Sequence, residues 1–171
     1  MTPIIGGLLA IAAIAAVIDW IAVWVDGPHS RAVERVAKPL VLLALLGATL
    51  AWPTELGDTA AVRPWLVAAL VASLAGDVLL LPPGRFIPGL VAFLLAHMAY
   101  LVAFAQLPGS VPWVVVGVVL AGVVVTTVGR VVLGAARRVG LAAPVAVYLV
   151  AICAMAIAAT RTSLPAAILG A

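Results

Sequence analysis

The chain has 171 residues, 67% hydrophobic and 9% charged, and its nine Lys and Arg against six Asp and Glu leave a net charge of +3. A soluble domain carries about 25% charged residues, and a small one is mostly surface, so this apolar surplus has no soluble core to hide in. No run of Lys or Arg interleaved with aromatics points to nucleic acid, and Cys153, the single cysteine, rules out an internal disulfide or a multi-cysteine metal site.

The apolar residues fall in long blocks and not at one-face helical spacing, the pattern of helices that meet lipid all round. The first block runs from about Pro3 to Val25 and contains Asp19. It lacks the basic start and small-residue cleavage pattern of a signal peptide, so a retained span is expected. The turn formers Asp26 to Arg31 follow. A second block begins near Val33 and ends near Trp52-Pro53, with Arg35 and Lys38 in its first turns. Thr54 to Arg63 reads as a loop. The third block, Pro64 to Leu81, stops at Pro82-Pro83-Gly84, where proline cannot continue a helix. From Phe86 to Gly129 there is no formal charge, over about twice the length of one span. Leu107 to Pro112 divides this stretch into a fourth and a fifth helix. Arg130 to Gly140 reads as a basic loop, and the sixth block covers about Leu141 to Thr160. Ser163-Leu164-Pro165 and the apolar residues to Ala171 read as the start of a seventh helix, with proline in its first turn. The expected fold is all-α: one polytopic transmembrane bundle over residues 1–171, with six spans plus that start.

With six helices, Arg31, Arg35, Lys38, Arg85, Arg130, Arg137 and Arg138 share one side of the membrane, against Arg63 and Arg161 on the other. The positive-inside rule places the seven in the cytoplasm and the N-terminus outside.

Ionisable residues inside spans are costly and usually face a cavity or one another. Asp19 lies about four turns into the first helix, and Lys38 about one turn into the second. Asp77 lies about one turn before the end of the third, with Ser73 a turn earlier on the same face. His97 and Tyr100 are i, i+3 neighbours in the fourth helix, and Phe93 lies a turn before His97. Tyr148 lies about two turns into the sixth. All fall between mid-membrane and the cytoplasmic surface, where converging faces would line one polar pocket. Each has a plainer reading. Lys38 can snorkel to the interface, Asp19 can balance Lys38 or Arg35, and His97 can be an interhelical hydrogen-bonder. The tyrosines can be interfacial. No zinc-ligand spacing, glycine-rich phosphate loop, nucleophile elbow or metalloprotease helix is present. Two histidines, His29 in a loop and His97, do not suit a bis-histidine haem. No metal or other cofactor is expected. Acid–base chemistry or polar recognition remains, at a carboxylate, an imidazole and an amine.

These residues resemble the lysoplasmalogenase family, the YhhN-like integral membrane proteins. The resemblance rests on Lys38-Pro39-Leu40, on Ser73-Leu74-Ala75-Gly76-Asp77-Val78-Leu79-Leu80, on Phe93 with His97 and Tyr100, and on Tyr148 followed by Met155. It covers roughly Ala37 to Thr160. It implies an eight-helix fold, so the chain is expected to lack the family's C-terminal helices and their second acidic motif, Ser-Asp. Asp19 is then the intramembrane candidate for a second acid. The resemblance also implies a membrane hydrolase of the lysoplasmalogen vinyl ether bond, releasing a fatty aldehyde and a glycerophospho-headgroup. The implied catalytic residues are Asp77 as acid, with His97 and Tyr100 orienting water or substrate. Lys38 would hold the phosphate, and Ser73, Tyr148 and Asp19 would complete the binding site. The implied partners are a lysophospholipid and the bilayer. The alternative is a small lipid-binding or transport protein using the same residues for recognition.

Overall fold

A computed structural model describes residues 2–25, 30–53 and 59–162, the side chains of Val23, Ser30, Arg31, Glu34 and Thr59 excepted. The helices are α1 (Pro3–Val25), α2 (Ser30–Ala51), α3 (Thr59–Leu80), α4 (Phe86–Ala105), α5 (Val111–Val124), α6 (Arg130–Arg138) and α7 (Ala142–Arg161). A π-helical turn, Val125–Gly129, joins α5 to α6 without a break. Among the described residues, five helical stretches are long and apolar enough to cross a membrane: Pro3–Ala22, Ala60–Leu80, Phe86–Ala105, Val111–Arg138 and Ala142–Arg161. The remaining long helix, α2, carries Arg31, Glu34, Arg35 and Lys38 near its start, which lowers its hydropathy. The protein is thus a helical membrane bundle. Its chain divides into two compact units, Met1–Ala96 and His97–Ala171.

In the first unit, α1 packs on α2 and α2 on α3. The α1–α2 seam is made mostly of alanines. Ile5, Ala12, Ala15 and Ala22 form the buried stripe of α1, and Ala37, Ala44 and Ala48 that of α2. Lipid tails are as apolar as leucine, so helices associate through close backbone approach, which alanine permits. On α3 the buried stripe is Val62, Ala69, Leu70, Ser73 and Gly76, positions that share one helical face. The Arg63 guanidinium donates to the Leu50 carbonyl. It satisfies an acceptor that the last turn of α2 leaves open and sets a cation at the negative end of that helix. Gly84, at φ 81°, turns the chain from α3 into α4 after the two prolines.

The second unit is built on a helical hairpin. Gly117 packs closely on Thr160 and Ile157, and Gly129 on Leu149. Gly140, at φ 74°, lets Leu141 N–H reach back to the Ala136 carbonyl at 2.9 Å, the left-handed helix stop that glycine favours. At the other end of the hairpin, Ser110 N–H donates to the Arg161 carbonyl at 2.9 Å. The Arg161 guanidinium donates to the carbonyls of Phe104, Ala105 and Leu107 at 3.2–3.3 Å. It caps the end of α4.

Three boundaries differ from expectation. The segment Arg130–Gly140 is not a loop, because helix continues to Arg138 and only the following residues turn. The arginines by themselves suggest a break, but a helix that leaves the hydrocarbon can carry charge without ending. The segment Thr59–Arg63 is helical, so α3 begins earlier than Pro64; proline is tolerated near a helix start. Helix α2 begins at Ser30, before Val33. Lys38 therefore lies about two turns into it instead of one. The expected loop residues 26–29 and 54–58, His29 among them, and the seventh-helix start at 163–171 lie outside the described residues.

Candidate functional site

The register of the first three helices can be built from their contacts. Leu8 packs against Gly47, and α1 and α2 are consecutive, extensively packed helices, hence antiparallel. From Leu8 to Asp19 is about 16 Å along α1, and from Gly47 back to Lys38 about 14 Å along α2. The Arg63–Leu50 contact sets the next pair. From Arg63 to Asp77 is about 21 Å, and from Leu50 back to Lys38 about 18 Å. Asp19, Lys38 and Asp77 thus lie at one level on three successive helices. The electrostatics agree, since Asp77 interacts with both Lys38 and Asp19.

Burial at this level is mixed. Lys38, Asp77 and Asp19 are half-buried, and Ser73, one turn from Asp77 on the same face, is buried. The Asp19 Oδ1 atom is fully enclosed and has no hydrogen-bond partner among the described residues. An enclosed carboxylate oxygen without a donor is unfavourable. Asp77, for its part, lies in the field of the Lys38 ammonium as well as of Asp19. Two carboxyls and one amine form the charge group of the first unit.

A glycine fixes the side of α3 next to Asp77. A Cβ built on Gly76 would lie 2.8–2.9 Å from three carbons of the Phe93 ring. The missing side chain is what lets the ring rest on α3. Leu80 fits over Gly89 in the same way one turn further on. These contacts hold the last turns of α3, and with them Asp77, against the first turns of α4.

In the second unit, His97 of α4 meets Tyr148 of α7, with ring centroids 5.2 Å apart and planes at 84°. That edge-to-face geometry is favourable for aromatic rings. Tyr100 instead stacks on Phe104 at 6.1 Å and 14°, one turn along α4. His97, Tyr100 and Tyr148 are all half-buried. The site residues expected from the sequence therefore form two groups: Asp19, Lys38, Ser73 and Asp77 in the first unit, and His97 with Tyr148, beside Tyr100, in the second. No group of three or more His, Cys, Asp or Glu able to hold a metal ion occurs among the described residues.

Sequence reasoning missed the capping roles of Arg63 and Arg161. The available signal was a lone arginine at the end of an otherwise apolar helix, next to a neighbour's unpaired carbonyls. It also missed the π turn. Thr126 Oγ1 donates to the Gly122 and Val123 carbonyls, and Thr127 Oγ1 to those of Val123 and Val124, at 2.7–3.4 Å. Hydroxyls that occupy backbone acceptors compete with the helical ladder and loosen it.

Comparison with known proteins agrees with this picture. The family model described as YhhN family matches residues 33–171. Over 72 residues the chain is 44% identical to proteins named "Uncharacterized membrane protein YhhN" from Escherichia coli O6:H1, Escherichia coli O157:H7 and Shigella flexneri. The match covers 42% of this chain and spans 33% of the length of those relatives. No solved structure matches it significantly. With most of its length accounted for by one family, and with the helical membrane fold described above, the chain belongs to the YhhN family.

Proposed function

We propose that the protein is a membrane-embedded hydrolase that cleaves the vinyl ether bond of lysoplasmalogens, giving a fatty aldehyde and a glycerophospho-headgroup. The observation that carries this reading is the grouping of Asp77 with Lys38 and Asp19 at one level of three packed helices.

The chemistry asks for what that group offers. A proton moves from an acid to the vinyl carbon remote from oxygen, leaving an oxocarbenium ion. Water adds to the cationic carbon and loses a proton, giving a hemiacetal. The hemiacetal collapses to the aldehyde and the free glycerol hydroxyl. Asp77 serves as the acid and recovers its proton from the attacking water. Asp19, near enough to interact with Asp77, contributes negative charge towards the cation. Division of acid and stabiliser between two carboxyls is the logic of glycosidases, whose transition state is also oxocarbenium-like. The Lys38 ammonium, a flexible point charge, holds the phosphate. Ser73 supplies a buried hydroxyl a turn from Asp77. In this reading the seven-residue basic group faces the cytoplasm of a cell membrane and the N-terminus lies outside.

The test is aldehyde release from lysoplasmenyl lipid by the purified protein and by Asp77→Asn. A loss of at least 100-fold is expected in the variant, the scale of general acid catalysis. Lys38→Gln should raise KM more than it lowers kcat. A folded wild-type protein that releases no aldehyde ends the hydrolase reading in favour of lipid binding or transport. Undiminished release by Asp77→Asn removes that residue from its role.

A further inference from the structure

The continuous helix from Val111 to Arg138 has 28 residues, about 42 Å, against a hydrocarbon core of about 30 Å. The twenty residues from Val111 to Arg130 already span that core. Arg130 therefore lies at its edge, and α6 runs on into the headgroup layer. Side chains on a helix tilt towards its N-terminus, so Arg137 and Arg138 lean back towards the membrane.

The face that α6 presents there has a particular shape. Arg130, Gly134 and Arg137 fall at i, i+4 and i+7 on one stripe. A Cβ built on Gly134 would meet nothing within 4 Å. The stripe is an open notch about 10 Å long with a guanidinium at each end, and exposed Arg138 stands beside it. Exposed Val131 lies on the flanking face, suited to the acyl boundary.

The charge on this face has no counterpart in its own unit. The six carboxylate residues of the chain are Asp19, Asp26, Glu34, Glu55, Asp58 and Asp77, so residues 78–171 hold no Asp or Glu. Arg161 is committed to backbone carbonyls, which leaves Arg130, Arg137 and Arg138 exposed on α6. A helix C-terminus attracts cations, which accounts for Arg137 and Arg138 in the last turn. It does not account for Arg130 at the start of α6, or for the open glycine between them.

We infer that α6 is a seat for an anionic phospholipid of the surrounding leaflet, its phosphate received in the Gly134 notch between Arg130 and Arg137. Guanidinium is the side chain best matched to phosphate oxygens, and basic groups at this depth attract anionic lipid. The bound lipid is distinct from any substrate, and the inference stands whether or not the protein is a hydrolase.

Native mass spectrometry of the delipidated full chain, titrated with phosphatidylglycerol or phosphatidylcholine, reads the preference directly. The wild type should favour phosphatidylglycerol by at least tenfold. The triple variant R130Q, R137Q, R138Q should lose that preference, at roughly fivefold for each arginine. Gly134→Leu, which keeps every charge and fills the notch, should reduce it at least threefold. Arg85→Gln should leave it unchanged. If the triple variant does not fold, the double variant R137Q, R138Q and the loss of preference in high salt supply the same reading. An undiminished preference in the folded arginine variants overturns the inference, as does a Gly134→Leu protein indistinguishable from wild type. Displacement of the lipid by millimolar inorganic phosphate would show a free-phosphate site and would equally overturn it.

Discussion

Gly76→Ala tests whether the fit of Phe93 against α3 positions Asp77. The added Cβ would stand 2.8, 2.8 and 2.9 Å from Cδ2, Cε2 and Cζ of the Phe93 ring, where carbons normally rest about 3.5–4.0 Å apart. Either the ring or the helix must move by about 0.7 Å or more. A rigid ring meeting the new atom with three carbons cannot yield as the tip of a flexible chain does. Overpacking of this kind costs about 1–3 kcal/mol, while alanine in place of glycine returns about 1 kcal/mol of helix propensity. The net loss should be about 1 kcal/mol, or a fall in Tm of about 2–4 °C for a chain of this size. Thermal unfolding of the purified protein in detergent measures it. Phe93→Leu alone should cost about 1–2 kcal/mol in lost ring contacts. The pair Gly76→Ala, Phe93→Leu should then be more stable than the sum of the single changes by about 1 kcal/mol. In the hydrolase reading, Gly76→Ala should also reduce kcat with little change in KM, because it shifts the acid and spares Lys38. A Gly76→Ala protein at least as stable as wild type would refute the close-packing argument. Additivity of the two changes would show that the ring is not the obstacle.

Arg161→Gln should lower stability by about 1–3 kcal/mol, since it strips a charged donor from the carbonyls at the end of α4. Arg161→Lys should recover only part of the loss, as an ammonium cannot fan across three acceptors; thermal unfolding of both variants decides it. For topology, single cysteines replacing Arg85 or Arg137 in a Cys153→Ser background should react with an impermeant maleimide only after cell disruption. A cysteine replacing Arg63 should react in intact cells. The reverse pattern would overturn the orientation drawn from the basic loops.

Much of the fold was legible because a bilayer imposes one rule on every span. Each backbone group must be satisfied within its own segment, so a long apolar block becomes a helix. The bounds of α1, α4 and α7 follow closely from where the apolar residues begin and end. The α5–α6 junction did not, because charge marks where a helix meets the headgroups and not where it stops. By charge alone Arg130 reads as a loop residue, whereas the helix runs on through it to Arg138. Lys38 lies a turn deeper than the apolar pattern implies, for the related reason that α2 starts among polar residues.

The sequence alone determined that ionisable side chains sit inside apolar helices, and named them. Their scarcity made Asp19, Lys38, Asp77 and His97 conspicuous without any knowledge of packing. Tertiary structure decided which of them share a neighbourhood. Helical register depends on which small residues face one another, and nothing local to Lys38 says that Leu8 meets Gly47 or that Arg63 reaches Leu50. Those contacts bring two carboxyls and an amine to one level. The pairing of His97 with Tyr148, more than forty residues apart in the chain, likewise needed α4 and α7 to meet. Such pairings rest on the shape of surfaces distant in sequence, and that shape exists only once the helices have packed.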